Sequence, residues 1–319
     1  MRFIALSFAI MAALSPPALW AAETVTIGVP NWPSVKITAR VIEAIAEDEF
    51  GIDIDVVDAL NDEIFDGIHR GRGKIDIHPE VWLPNHAAAV AKYVDEAGTM
   101  VLTPHAYDAI QGICIHRAVS TELGVTAIHQ LTDPEFATKL DNNGDGRGDI
   151  WIGAEGWGST DIERIKARTY GYDKTMELHV SEEADMLVRL NASVAEGLPF
   201  VFSCYGPHHI FQTHDLILIE EPAYEASRWV LAQPEDDENW LENSKIDVGW
   251  PQVRVHMAYS VRLRDAAPEL VAMLDRMELN SLMVSGWTYA IEVENVDPEE
   301  FARKWVESHP LIVDTWLDR

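Results

Sequence analysis

The chain has 319 residues, 47% of them hydrophobic and 24% charged, which is too apolar for a disordered protein and long enough for two domains of ordinary size. Lys and Arg number 24 against 53 Asp and Glu, for a formal charge of −29. With no basic patch in the sequence, that charge excludes nucleic acid and anionic lipid surfaces as partners.

Met1 and Arg2 open the chain, an apolar run covers residues 3–14, and Ser15-Pro16-Pro17 leads into the small residues Ala18, Ala21 and Ala22. This is the pattern of a secretory signal peptide over residues 1–21, with cleavage after Ala21 and Ala22 as the alternative. The run is too short to span a bilayer, and no later segment is longer and as apolar. No Cys follows the cleavage region, so the expected address is the periplasm, without a lipid anchor.

Beyond it, strand-like and helix-like segments alternate. Strands are predicted at 24–29, 52–57, 75–77, 99–102, 110–115, 150–153, 200–204, 216–219 and 253–261, with helices at 35–50, 161–170, 182–195, 266–277 and 298–308. Such alternation argues for the α/β class, with mixed or parallel sheets flanked by helices. No flexible linker interrupts the pattern. The acidic stretch 232–243 reads as a surface excursion, so two lobes would be joined through strands, as in a hinged binding protein with its ligand in the cleft. The expected division is residues 22–112 plus 255–319 for lobe 1 and 113–254 for lobe 2. Cys114 and Cys204 both lie in apolar strand-like runs, where a buried thiol is at home; an oxidising compartment also permits them to pair.

Enzyme signatures are missing: there is no nucleophile elbow, phosphate-binding loop, dinucleotide fingerprint or zinc-protease helix. The sequence therefore gives no support for catalysis, and a calcium-dependent secreted hydrolase stands only as a rival reading. Twelve His residues raise a second rival, a metal-binding receptor using His78, His105, His208, His209 and His214. The run 141–149 is sharper. Asp141, Asn143, Asp145, the Arg147 carbonyl and Asp149 reproduce the first part of an EF-hand calcium loop, with Gly146 at the tight turn. The twelfth position is Ile152 rather than Glu, which leaves completion to another residue such as Glu155. A structural surface Ca²⁺ and an ion-free Asx-turn loop are the competing readings. No cofactor is required by either.

Eleven Trp residues are the other feature to explain, because an indole both fills cores and meets cations through its ring face. Trp287, Trp305 and Trp316 fall in helix-like segments and read as core. Trp32, Trp82 and Trp157 sit among turn residues at strand-to-helix junctions, the places where ligands bind in α/β sheets. Tyr205 has the same surroundings.

On these residues the chain resembles the substrate-binding proteins of ABC importers for glycine betaine, proline betaine and choline. The resemblance is carried by 141–149 followed by Gly156-Trp157-Gly158, by Val81-Trp82-Leu83-Pro84, and by Trp305-Val306-Glu307 through Trp316-Leu317. It implies a two-lobe class II periplasmic binding protein, a monomer, that closes on a quaternary ammonium ligand and delivers it to an inner-membrane ABC permease. The implied cage residues are Trp32, Trp82 and Trp157, with Tyr205 where many relatives carry Trp, and Tyr107 as a further member. His208, with His209 as its alternative, is the implied contact for a ligand carboxylate. Trimethylamine N-oxide and dimethylsulfoniopropionate would satisfy the same cage.

Overall fold

The computed structural model describes residues 24–71, 74–233 and 237–319; the expected signal peptide lies outside them. Eleven strands are present: β1 Val25–Val29, β2 Ile54–Asp58, β3 Ile77–Leu83, β4 Met100–His116, β5 Gly148–Gly153, β6 Met176–Val180, β7 Val201–Gly206, β8 Leu216–Leu218, β9 Trp229–Val230, β10 Lys245–Ile246 and β11 Val253–Ser260. Nine form one sheet in the order β2-β1-β3-β11-β4-β7-β5-β6, with β8 paired to β4. The class is mixed α/β, as read from the sequence.

The long strand β4 divides this sheet. Its first part pairs with β11 and its second with β7 and β8, so one strand belongs to both halves. In the first half β1 runs parallel to β2 and β3, and in the second β5 runs parallel to β6 and β7. The antiparallel insertion of β11 between β3 and β4 carries the chain back into the first half before its C-terminal helices.

Two sequence expectations are corrected. The third strand runs over Ile77–Leu83 instead of 75–77: Pro79 and Glu80 break the apolar run but not the strand, because the Glu80 carboxylate finds buried donors. The segments 99–102 and 110–115 are one 17-residue strand; Pro104, His105 and Asp108 punctuate the sequence without ending the ladder. The helix-like segments around Trp287 and Trp316 are the helices Ser281–Glu292 and Pro310–Leu317, while the helix Asn61–Arg70 was not anticipated.

The helix Pro33–Phe50 begins with Trp32 as its N-cap and Pro at its first turn, and ends at Gly51 in the left-handed region, φ 64°, a conformation that favours glycine. It packs on Ser281–Glu292 and Pro298–Ser308. Between the C-terminal helices Trp287 meets Trp305 at 4.9 Å and Trp305 meets Trp316 at 5.8 Å between centroids. All three are buried, which places these tryptophans in the core as expected. The excursion after β8 forms the β9–β10 ribbon, whose Trp229 and Ile246 pack against Ile162 and Ile165 of the helix Gly158–Tyr170. A fully buried Lys166 pairs there with Glu163 and Glu221. Cys114 and Cys204 form a disulfide across β4 and β7, with Cα atoms 5.7 Å apart.

Candidate functional site

The carboxyl ends of β1, β3, β5 and β7 each deliver one ring to a common point. Trp32 caps the helix after β1, Trp82 and Tyr205 lie next to last in β3 and β7, and Trp157 caps the helix after β5. Trp82 therefore belongs to its strand rather than to a following loop. Trp32 stands edge-on to Trp157 (5.9 Å, 87°), Trp157 to Tyr205 (5.8 Å, 85°) and Tyr205 to Trp82 (5.5 Å, 88°). Perpendicular neighbours present alternate ring faces and edges, so the four rings wall a box. The cavity they enclose measures about 440 Å³ with its mouth and is also lined by Asn61, Asn85, His86, Gln111, Ser159 and Cys204.

Each ring is held by its polar end. Trp32 Nε1 donates to Glu80 Oε2 at 2.7 Å and Trp82 Nε1 to the same oxygen at 3.3 Å. The Ser34 and Tyr107 hydroxyls also donate to this carboxylate, at 2.8 and 3.0 Å, while the Thr38 hydroxyl, 3.3 Å away, gives its proton to the Ser34 carbonyl at 2.9 Å. Glu80 is fully buried; burial pushes its carboxyl up, and these hydrogen bonds oppose the rise. Tyr107 thus stands behind the box, its own phenol pushed up by burial and by Glu80, and it is not among the cavity-lining residues.

In the second half, the Tyr205 hydroxyl donates to Glu183 Oε2 at 3.2 Å. His208 Nδ1 accepts from the Ile210 N–H, leaving Nε2–H to meet Glu183 Oε1 at 3.1 Å. His208 is accordingly a buried partner of Glu183 packed against the Tyr205 ring at 5.0 Å, and neither it nor His209 lines the cavity.

Trp157 is the exception, because its partner belongs to the other half. Its Nε1 donates to Asn31 Oδ1 at 2.6 Å, while Asn31 Nδ2 donates to Glu182 at 2.8 Å. A second cross-cleft bond runs from Asn61 Nδ2 to the Gly156 carbonyl at 3.1 Å. Here His78 acts as an orienter: Nδ1 accepts from the Glu80 N–H, so Nε2–H donates to Asn61 Oδ1 at 3.1 Å. That fixes the Asn61 amide with its N–H₂ toward Gly156. The flanking glycines follow from the same closeness. A Cβ on Gly156, at φ 78°, would meet Leu60 at 3.2 Å, and one on Gly158 would meet the Asn85 carbonyl at 3.2 Å.

The cavity lining contains no Lys or Arg. Burial pulls the His86 imidazole down to about 4, so it is neutral at pH 7. Asn85 and Gln111 face each other through two 3.0 Å hydrogen bonds. The site thus offers aromatic faces and neutral polar groups near a buried carboxylate, a composition suited to a methylated cation with a polar tail.

The other expected features fall elsewhere. His78 is a core orienter, His105 lies by Glu278 and His214 by Asn191; none of the five histidines enters a group of three metal-ligating side chains among the described residues. In 141–149, Asp141, Asn143 and Asp145 accept hydrogen bonds from following backbone N–H groups, and Gly146 and Gly144 hold the Asp141 carboxyl below its ordinary value. Arg147 reaches back to the Asp173 carbonyl at 2.8 Å. Asp149 is buried against His179 at 2.5 Å, with Glu177 beside them. Glu155 pairs with Arg164 at 3.3 Å.

Glu80, Asn31, Asn61 and Glu183 were not anticipated. One signal was available for Glu80: it stands two residues before Trp82 on a strand, hence on the same face.

Residues 23–308 match the model of the substrate-binding domain of ABC-type glycine betaine transport systems. The glycine betaine/proline betaine-binding periplasmic protein of Salmonella typhimurium is 22% identical over 66% of this chain and 64% of that protein. The Dickeya dadantii glycine betaine-binding periplasmic protein OusX is 20% identical over 66% and 64%; the chain thus aligns with just under two thirds of the length of these curated relatives. Among solved structures, lactococcal OpuAC complexed with glycine betaine superposes with a TM-score of 0.70 at 21% identity, covering 92% of this chain and 99% of that one. A choline-binding ABC-transporter protein in complex with choline gives 0.71 at 19% identity, covering 93% and 92%. Those likenesses establish a two-lobed periplasmic-binding-protein fold, and the match over residues 23–308 establishes more: the chain belongs to the family of substrate-binding domains of ABC-type glycine betaine transport systems.

Proposed function

We propose that this protein captures a small methylated onium compound of the glycine betaine and choline class in the periplasm and presents it to an inner-membrane ABC permease. The observation that carries this reading is the box of Trp32, Trp157, Tyr205 and Trp82 around a cavity without Lys or Arg. A trimethylammonium group offers no N–H donor, so ordinary hydrogen bonding does not hold it, whereas ring faces attract the charge and tolerate the methyls. A desolvated cation–π contact contributes about 2 kcal/mol. Several together reach the roughly 8 kcal/mol of a micromolar complex only if association costs are offset by a preformed box. The polar tail faces Asn85, Gln111 and Ser159, neutral donors that suit a hydroxyl or a carboxylate.

In this role the two halves of the sheet swing about β4 and its neighbours, and the closed form is selected by a ligand touching both. The relatives named above are periplasmic proteins, and no helix among the described residues is long and apolar enough to cross a membrane; both support export as a diffusing receptor. The test is a titration of intrinsic Trp fluorescence with glycine betaine, choline, carnitine, trimethylamine N-oxide and dimethylsulfoniopropionate. At least one is expected to bind at about micromolar concentration; failure of all five below millimolar would remove the onium reading.

A further inference from the structure

We propose that Glu80 supplies the negative charge of the onium site from behind the aromatic wall, acting on the ligand through the indoles of Trp32 and Trp82 rather than by contact. This rests on the onium reading above and adds to it a source of charge selectivity.

Three observations carry it. First, Glu80 is fully buried, and the side chains that donate to it among the described residues are the neutral Trp32, Trp82, Ser34 and Tyr107, not Lys or Arg. A buried charge is normally paired, so a carboxylate left without a cationic side chain calls for another counter-charge. Second, four partners donate to it, Trp32, Trp82, Ser34 and Tyr107, and the two indole N–H groups among them cannot accept. That donor set, at the N-terminal turn of the helix Pro33–Phe50, favours the ionised form. Third, the same two indoles are box walls. An N–H bonded to a carboxylate is polarised, which makes the ring face more negative where a cation rests.

Glu183, the corresponding carboxylate behind Tyr205, differs because it is shared with the His208 imidazole at 3.1 Å. The arrangement also suits the ligand chemistry. A carboxylate in direct contact with a trimethylammonium group would surrender its own solvation and gain no hydrogen bond. Placed one ring away, it keeps four hydrogen bonds and still faces the cation across a medium of low dielectric.

The test compares each onium with its uncharged-head isostere: choline with 3,3-dimethylbutan-1-ol, and glycine betaine with 3,3-dimethylbutanoate, by calorimetry on the full mature protein. For whichever onium binds tighter, the wild type is expected to prefer it over its isostere by about a hundredfold or more, and an isostere too weak to detect gives a lower limit that counts the same way. Glu80→Gln, which keeps the shape, is expected to cost the onium about tenfold or more in affinity while moving the isostere less than threefold. Near-UV circular dichroism and melting temperature report whether its box is intact. Should that variant not fold, Trp82→Phe keeps both ring and charge but cuts one N–H link, and should weaken the onium at least about threefold more than the isostere.

A wild-type preference below tenfold overturns the proposal. So does equal loss of onium and isostere in Glu80→Gln, which would make Glu80 a support for ring position alone, or an onium affinity within threefold of wild type. If none of the five onium compounds binds the wild type, the onium reading itself falls; any other failure leaves that reading standing and removes only Glu80's part.

Discussion

The two walls of the box are built differently. Trp32 and Trp82 are anchored inside their own half, on Glu80, and Tyr205 inside its half, on Glu183. Trp157 is anchored across the cleft, on Asn31. In the proposed closing motion the first wall would keep its anchors, whereas the Trp157 indole, which also packs on Trp151 of its own half at 5.8 Å, would reach Asn31 only on closure. For the proposed function the difference sets an expected order: ligand would settle on Trp32 and Trp82, and Trp157 would complete the box while Asn31 and Asn61 fasten the halves. Preorganisation of one wall limits the entropy lost on binding, and a cross-cleft contact made on closure would couple binding to the proposed change of shape.

The largest effect that sharpens this comparison is expected at the preformed wall. Trp82→Ala removes a ring face and one donor to Glu80, and should raise the dissociation constant by about a hundredfold, measured by calorimetry. Trp157→Ala should weaken binding by at least about tenfold with little change in the melting temperature of the ligand-free protein; an equal loss of stability would return Trp157 to the core. Asn31→Ala removes no ring but takes away the cross-cleft bonds to Trp157 and Glu182, leaving the one from Asn61 to Gly156. It should cost about three- to tenfold in affinity, the value of a hydrogen bond or two, seen as faster dissociation in stopped-flow fluorescence with the association rate little changed. Were Asn31→Ala to cost more than Trp82→Ala, the order of assembly would be reversed.

Acid should act on the first wall as well. His86 lines the cavity and is held down to about 4 by burial. Lowering the pH from 7 toward that value places a second cation beside the onium group, while protonation neutralises Glu80, so affinity should fall with acid. For folding, the sign is the same. The unfolded imidazole takes up its proton near 6.5 and the folded one only near 4, so stability is full above the upper value and declines as pH falls through that window. His86→Asn should flatten that part of the melting-temperature profile.

Much of this site is legible in the sequence because aromatic residues beside Pro, Gly and Asn are rare in helix faces and common at strand ends. That signal found Trp32, Trp82, Trp157 and Tyr205, and the alternation of segments found the α/β class. It did not find Glu80, whose one local mark among 53 acidic residues is its place two residues before Trp82 on a strand. Asn31 and Asn61 were hidden for another reason: each acts across the cleft, at sequence separations of 126 and 95, and no periodicity encodes that. Tyr107 and His208 were placed near the ligand by resemblance. They stand one layer out, because each serves a carboxylate that holds a ring.

The central claim is that these three tryptophans, and not those of the C-terminal helices, meet the ligand. It is tested most directly by the ¹⁵N–¹H indole resonances of the assigned protein during addition of the tightest-binding onium compound. The account expects Trp32, Trp82 and Trp157 to shift in proportion to occupancy while Trp287, Trp305 and Trp316 stay still. Saturation of binding with those three box resonances unmoved would contradict it.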